Sequence, residues 1–174
     1  MSDPVSAKFP GADRRILDFL AAWKQARGSR LVPFRHDFEP LDVPRLLEFA
    51  WIYKYEPERG DYVCQLAGEK INENWGRSIN GLTLREIVGE FDHPVLLERW
   101  KLVRETPLIQ YGSFSEWQPA VRSFAAERLL LPMASRDGKV DTVLGLALYD
   151  ISLPDPSRPP PFARNLIRVR CDEI

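Results

Sequence analysis

Two histidines, His36 and His93, and two cysteines, Cys64 and Cys171, are the only ones in the chain, and they limit the chemistry it can do. A four-ligand structural zinc would need all of them or borrowed carboxylates. None stands at a local ligand spacing from another, so no metal site is expected. The strings that mark the common zinc, hydrolase, phosphate-loop and dinucleotide sites, CxxC, HExxH, GxSxG, GxxxxGK[ST] and GxGxxG, are missing together. One local cluster remains, Glu90-Phe91-Asp92-His93. Carboxylates beside a histidine can poise an acid and a base near neutral pH, and an enzyme acting on a small carbonyl or sugar substrate would use this trio. A simpler account covers the same residues. Asp92 caps a helix and Glu90 sits on the loop before it, because negative charge at a helix N-terminus is stabilising without any chemistry. That account is preferred, and no catalytic residue is assigned. Cys64 alternates with Val63 and Gln65 and is expected as a small buried core residue rather than a reactive thiol.

The elements that must hold these residues follow from periodicity. Asp13 to Arg27 carries Ile16, Phe19, Leu20, Trp23 and Ala26 at spacings of three and four, with charged residues between them, which predicts an amphipathic helix stopped by Gly28. Pro33, Pro40 and Pro44 mark an extended connection. Phe49 to Glu56 and Asp61 to Ala67 read as strands joined by a turn over Pro57 to Gly60, hence a hairpin. Short helical pieces follow at Glu69 to Trp75 and Thr83 to Val88, the second opened by Thr83 with Glu86 three residues on. A longer helix is expected from Asp92, with Pro94 in its first turn and Leu96, Leu97, Trp100 and Val103 on one side, ending at Pro107. Leu108 to Gln118, Arg122 to Ala134 and Val140 to Ser152 are again strand-like, the last two linked by a turn at Asp137-Gly138.

Hairpin-linked strands with helices grouped between them predict an α+β fold around an antiparallel sheet. Two of the strands carry a further constraint. Phe49, Trp51, Tyr53 and Tyr55 alternate with Ala50 and Ile52, and Leu144, Leu146 and Leu148 alternate with Val143, Ala147, Tyr149 and Ile151, so neither strand has a fully polar face. Such strands belong at the centre of a sheet covered on both sides. The middle helices can cover one side, leaving the N-terminal helix, a partner chain or both for the other.

Net charge is −1, from 24 Lys plus Arg against 25 Asp plus Glu, which removes the basic excess a nucleic-acid binder shows. With 44% hydrophobic residues the chain resembles an ordinary soluble domain rather than a disordered one. Neither a signal-peptide pattern nor an apolar run long enough for a bilayer is present, so a cytoplasmic location with free thiols and no membrane partner is expected. Five prolines between Pro154 and Pro161, with Arg158, Arg164, Arg168 and Arg170, predict a proline-rich, locally basic tail over 154–174, solvated or strapped onto the domain.

From about Ser29 to Asp150 the chain resembles PAS domains, most closely the bacterial single-domain PAS-like group. The resemblance is carried by Pro33, Arg35, Asp37, Phe38, Pro40, Pro44, Leu46 and Leu47 in the lead-in, by Leu66-Ala67-Gly68 and Asn74-Trp75-Gly76, by Asn80, Gly81 and Leu84, and by Arg128 to Pro132 and Val143-Leu144-Gly145. It implies a five-stranded antiparallel sheet with helices on one face, and a sensory or interaction role in signal transduction. It also implies homodimers formed through the N-terminal helix and the outer sheet face, with Ile16, Phe19, Leu20 and Trp23 as interface candidates. Three segments result: a helical extension over 1–28, the PAS-like domain over 29–153 and the tail. Flavin-binding relatives carry a reactive cysteine after the short helices, where this chain reads ENWGRSING, and haem-binding relatives use a histidine of the long helix, where only His93 is available, at the rim. No cofactor is expected. Trp75, Trp100, Trp117, Phe91 and Phe114 could line a cavity or simply fill the core. Trp75, Ile87, Phe91, His93, Trp100, Tyr111, Leu129 and Leu131 are the candidates for a small-ligand pocket between helices and sheet. A ligand-free interaction adaptor that passes a signal to another protein is the alternative reading.

Overall fold

Helix α1 (Arg14–Arg27) forms where the spacing predicts it, and its ends explain its limits. The Asp13 side chain accepts the Arg15 amide at 2.8 Å, and Gly28 takes φ +59 after the last turn while its amide closes onto Lys24 and Gln25. A computed structural model describes residues 4–39, 42–113, 117–118, 123–150 and 165–174. Its remaining elements are β1 (Ala50–Glu56), β2 (Asp61–Ala67), α2 (Glu69–Trp75), α3 (Leu84–Glu105), β3 (Leu108–Ser113), β4 (Trp117–Gln118), β5 (Ser123–Ala134), β6 (Val140–Asp150) and β7 (Asn165–Arg170).

All strand pairings are antiparallel, in the order β2-β1-β6-β5-β3-β7, with the two-residue β4 on β5. The five expected strands are therefore present, and β7 adds an edge strand along β3. The doubly apolar strands β1 and β6 lie inside the sheet, as their composition requires. On one face Ala50, Ile52, Leu129, Leu131, Leu144 and Leu146 meet Ile16, Phe19, Leu20 and Trp23 of α1 in one buried cluster. On the other, Trp51, Tyr53, Leu130, Val143 and Ala147 meet Ile71, Leu84, Ile87, Trp100 and Val103 of α2 and α3. The result is three layers, helix, sheet, helices.

This arrangement corrects two expectations. The α1 face proposed for a dimer is spent inside the chain: Ile16, Phe19, Leu20 and Trp23 are at most 1% exposed, and the Trp23 indole donates to the Pro132 carbonyl at 2.9 Å. Apolar residues that uncover a partner surface in one arrangement close the sheet of their own chain in another, and helix periodicity is identical in both. The tail expectation also changes over its last part, which is strapped onto the domain as a sheet strand rather than as a proline-rich extension. Residues 151–164 lie outside the described residues, but Asn165–Arg170 is a strand whose Ile167 and Val169 pack into the α1-side cluster. The prolines that break a sheet all precede Asn165. Cys171 is buried, its carbonyl accepting the Arg27 guanidinium at 2.7 Å.

Helix α3 opens with the expected capping box, the Thr83 amide donating to the Glu86 carboxylate at 2.8 Å and the Glu86 amide to the Thr83 hydroxyl at 3.2 Å. It then breaks at Gly89, which takes φ +83 and ψ 169. The long helix thus starts behind Gly89 rather than at Asp92, and Asp92 stands in its first turn, where a carboxylate still favours the helix dipole.

Candidate functional site

The centre of the helix-facing side is a group of aromatic rings. Strand alternation turns Trp51, Tyr53 and Tyr55 of β1 toward α3. Trp51 stacks on Trp100 of α3 with centroids 5.0 Å apart and planes at 11°, and Tyr53 stands edge-on to both at 5.1 and 5.0 Å. Tyr62 of β2 also stands edge-on to Trp100, at 5.1 Å. The stack needs a gap in the sheet, and Gly145 supplies it. Gly145 is the register partner of Trp51, and a Cβ there would lie 2.1 Å from the indole carbons.

Beside the stack is a cavity that leaves ≈ 40 Å³ for the centres of water molecules. Trp51, Tyr53 and Trp100 form one wall; Ile71 and Trp75 of α2 and Leu84, Val88 and Leu96 of α3 form the roof; Arg128 of β5 and Tyr149 of β6 supply the polar end. Tyr149 is hydrogen-bonded to Arg128 and Asn74; burial raises its phenol pKa, and these two bonds oppose the rise. Tyr53 is raised well above the usual tyrosine range, chiefly by burial. Cys64, which shares a hydrogen bond with Tyr53, is pushed up to about 11, again by burial. Cys171 is pushed up to about 12 for the same reason. Both thiols are free and buried, so neither has the exposed, electropositive setting of a nucleophile.

At the edge of this layer His93 and Asp61 form a buried pair, 2% and 4% exposed, with His93 Nε2 2.9 Å from Asp61 Oδ1. The same carboxylate accepts the Tyr62 amide at 2.8 Å and the Arg85 amide, in the first turn of α3, at 3.2 Å. It pins the start of α3 and the turn after Gly89 to β2. The acid–base trio does not assemble: His93 faces Asp61, Glu90 is bound by Arg85 at 2.8 Å and Asp92 is exposed.

Of the eight pocket candidates, Trp75 and Trp100 line the cavity. Ile87 is buried in the same layer, whereas His93 belongs to the Asp61 pair. Phe91 points outward at 92% exposure. Tyr111, Leu129 and Leu131 are on the opposite face, against α1, where the Tyr111 hydroxyl donates to Glu127 at 2.7 Å. Along β5 the pocket face carries Arg128 and Leu130, one residue of alternation away from the expected Leu129 and Leu131. Phe114 and the side chain of Trp117 lie outside the described residues. Trp51, Tyr53, Arg128 and Tyr149 are cavity residues that the sequence reading does not single out. A glycine inside the apolar run Val143 to Leu148 is the available sign that a large ring approaches the sheet there.

Sheet order, two covered faces and helices on both sides of one antiparallel sheet define an α+β domain. Residues 13–148 match the family described as PAS domain, and the chain belongs to that family. Membership points to a sensory or regulatory module. The match begins at Asp13, the cap of α1, so it takes in a helix that the sequence reading assigns to a separate extension. No curated protein matches the chain. Among the described residues no helix is long and apolar enough to cross a membrane, and no group of His, Cys, Asp and Glu is placed to hold a metal ion.

Proposed function

We propose that the protein is a cytoplasmic PAS-type sensory or regulatory module that works as a homodimer and responds to a small ligand or a protein partner for signal transduction. One observation carries the ligand reading. The cavity has apolar, aromatic walls and a polar end at Arg128 and Tyr149, which is the make-up of a small-molecule pocket. A ligand shifts such a module only through different affinities for two states. The space is small, ≈ 40 Å³, and partly open, so a larger molecule either extends out of it or is favoured by a state in which α2 or the roof of α3 moves away from the sheet.

The test is ligand-detected NMR and native mass spectrometry on protein purified without added ligand, using a library of small aromatic fragments. Binding should shift the indole resonances of Trp51, Trp75 and Trp100, and Leu96→Trp, which fills the cavity, should abolish the shifts in a chain that stays folded. Absence of any binder would leave the second reading, a ligand-free interaction adaptor, which the small volume of the cavity favours.

A further inference from the structure

Helix α3 presents its aromatic side to the sheet, but its opposite side is not polar. Three of the four large hydrophobic side chains exposed among the described residues lie on it: Phe91 at 92%, Val95 at 53% and Leu102 at 42%. Behind the break at Gly89 these positions and Glu98 follow each other at steps of four, three and four, which places them in one stripe along the helix. Charges flank the stripe in a fixed order. Asp92 and Arg99 run along one flank, Glu90 and Lys101 along the other, so on both sides the acid is nearer the N-terminal end and the base nearer the C-terminal end. Asp92, Arg99 and Lys101 have no ion-pair partner among the described residues, whereas Glu90 is held by Arg85.

We propose that this stripe docks onto the same stripe of a second copy, antiparallel, about a two-fold axis beside Val95. A two-fold interface must be self-complementary, and the charge order meets that condition in one direction only. When two helices pack antiparallel, like flanks face each other. Asp92 then opposes Arg99 of the second copy, and Glu90 opposes Lys101. Both pairings have their midpoint between residues 95 and 96, so one axis satisfies all four ion pairs. The same axis brings Val95 against its counterpart and sets Phe91 into the space between Glu98 and Leu102 of the second copy. A parallel pairing would instead set unlike flanks against each other, with Asp92 beside Glu90 and Arg99 beside Lys101 of the second copy, acid against acid and base against base. Opposite charges at a rim select orientation in this way. The inference rests on the homodimer of the reading above and relocates its surface, since the apolar face of α1 is closed within the chain.

Light scattering and sedimentation velocity of the full chain at micromolar concentration test it. The expected mass is twice 20.1 kDa. Phe91→Asp should give 20.1 kDa. Asp92→Arg and Arg99→Asp should each weaken association by about tenfold or more, and the two together should restore it, because the swapped pair faces itself again. These side chains are exposed or only partly buried, so circular dichroism of the variants should match the wild type; if Phe91→Asp fails to fold, the two single reversals and their combination decide alone. A wild-type mass of 20.1 kDa overturns the homodimer together with its surface. A dimer that survives Phe91→Asp and both reversals overturns this surface alone. Loss in both single variants without recovery in the pair overturns the antiparallel pairing.

Discussion

Gly145 and Trp51 form one unit, because the indole occupies the space a side chain at Gly145 would need. Gly145→Ala should therefore push Trp51 off Trp100, destabilise the fold by about 1–3 kcal/mol and reduce the near-ultraviolet circular dichroism of the stacked rings; an unchanged aromatic spectrum and melting curve would contradict the stated contact. His93→Ala leaves the buried Asp61 carboxylate with only the two amide donors, and should cost about 3 kcal/mol in a urea titration. The two buried thiols give a pH dependence. Each is raised in the folded chain, Cys64 from 9.0 to about 11 and Cys171 from 9.0 to about 12. The unfolded chain therefore loses these protons first as pH rises. It binds fewer protons than the native state above pH 9, so this contribution to stability is complete below pH 9 and lost between pH 9 and about 12. Replacing both cysteines by Ala should flatten that alkaline decline in the free energy of unfolding; an identical slope would refute the assignment.

At the scale of elements, α1 is a core layer, and Trp23 is its largest fully buried side chain. Trp23→Ala removes that ring and its bond to Pro132, with an expected loss of about 3–5 kcal/mol in denaturant unfolding. A near-neutral result would mean that α1 does not close the sheet. The local elements are legible in the sequence. The α1 stop at Gly28, the Thr83–Glu86 box and the turn at Asp137-Gly138 each depend on a few neighbouring residues, and they form as their spacing predicts. Strand β7 is not legible. It is six residues of ordinary alternation placed after a run of prolines, and its partner β3 is far back in the chain. The break at Gly89 is legible in part, because Thr83 to Val88 and the helix from Asp92 read as separate pieces; what the structure adds is that the second piece restarts directly behind Gly89, at φ +83, rather than at Asp92.

At the scale of the whole molecule, three layers share one sheet, so the helices on both sides should unfold with it. Far-ultraviolet circular dichroism and tryptophan fluorescence, which report α1 through Trp23 and the other face through Trp51 and Trp100, should give coincident two-state transitions. A separate early transition of Trp23 would show α1 to be an independent unit. What the sequence determined by itself is the set of local conformations and the rule that β1 and β6 lie inside a doubly covered sheet, because propensity, capping and alternation act over a few residues. Which residues meet was decided only by the tertiary structure. Alternation separates Arg128 from Leu129 but does not say which of them faces the aromatic cavity. Periodicity shows that α1 is amphipathic without saying whose sheet it covers. Those choices depend on contacts between distant segments, and in this fold they close the face of α1 within the chain and leave Phe91, Val95 and Leu102 of α3 on its surface.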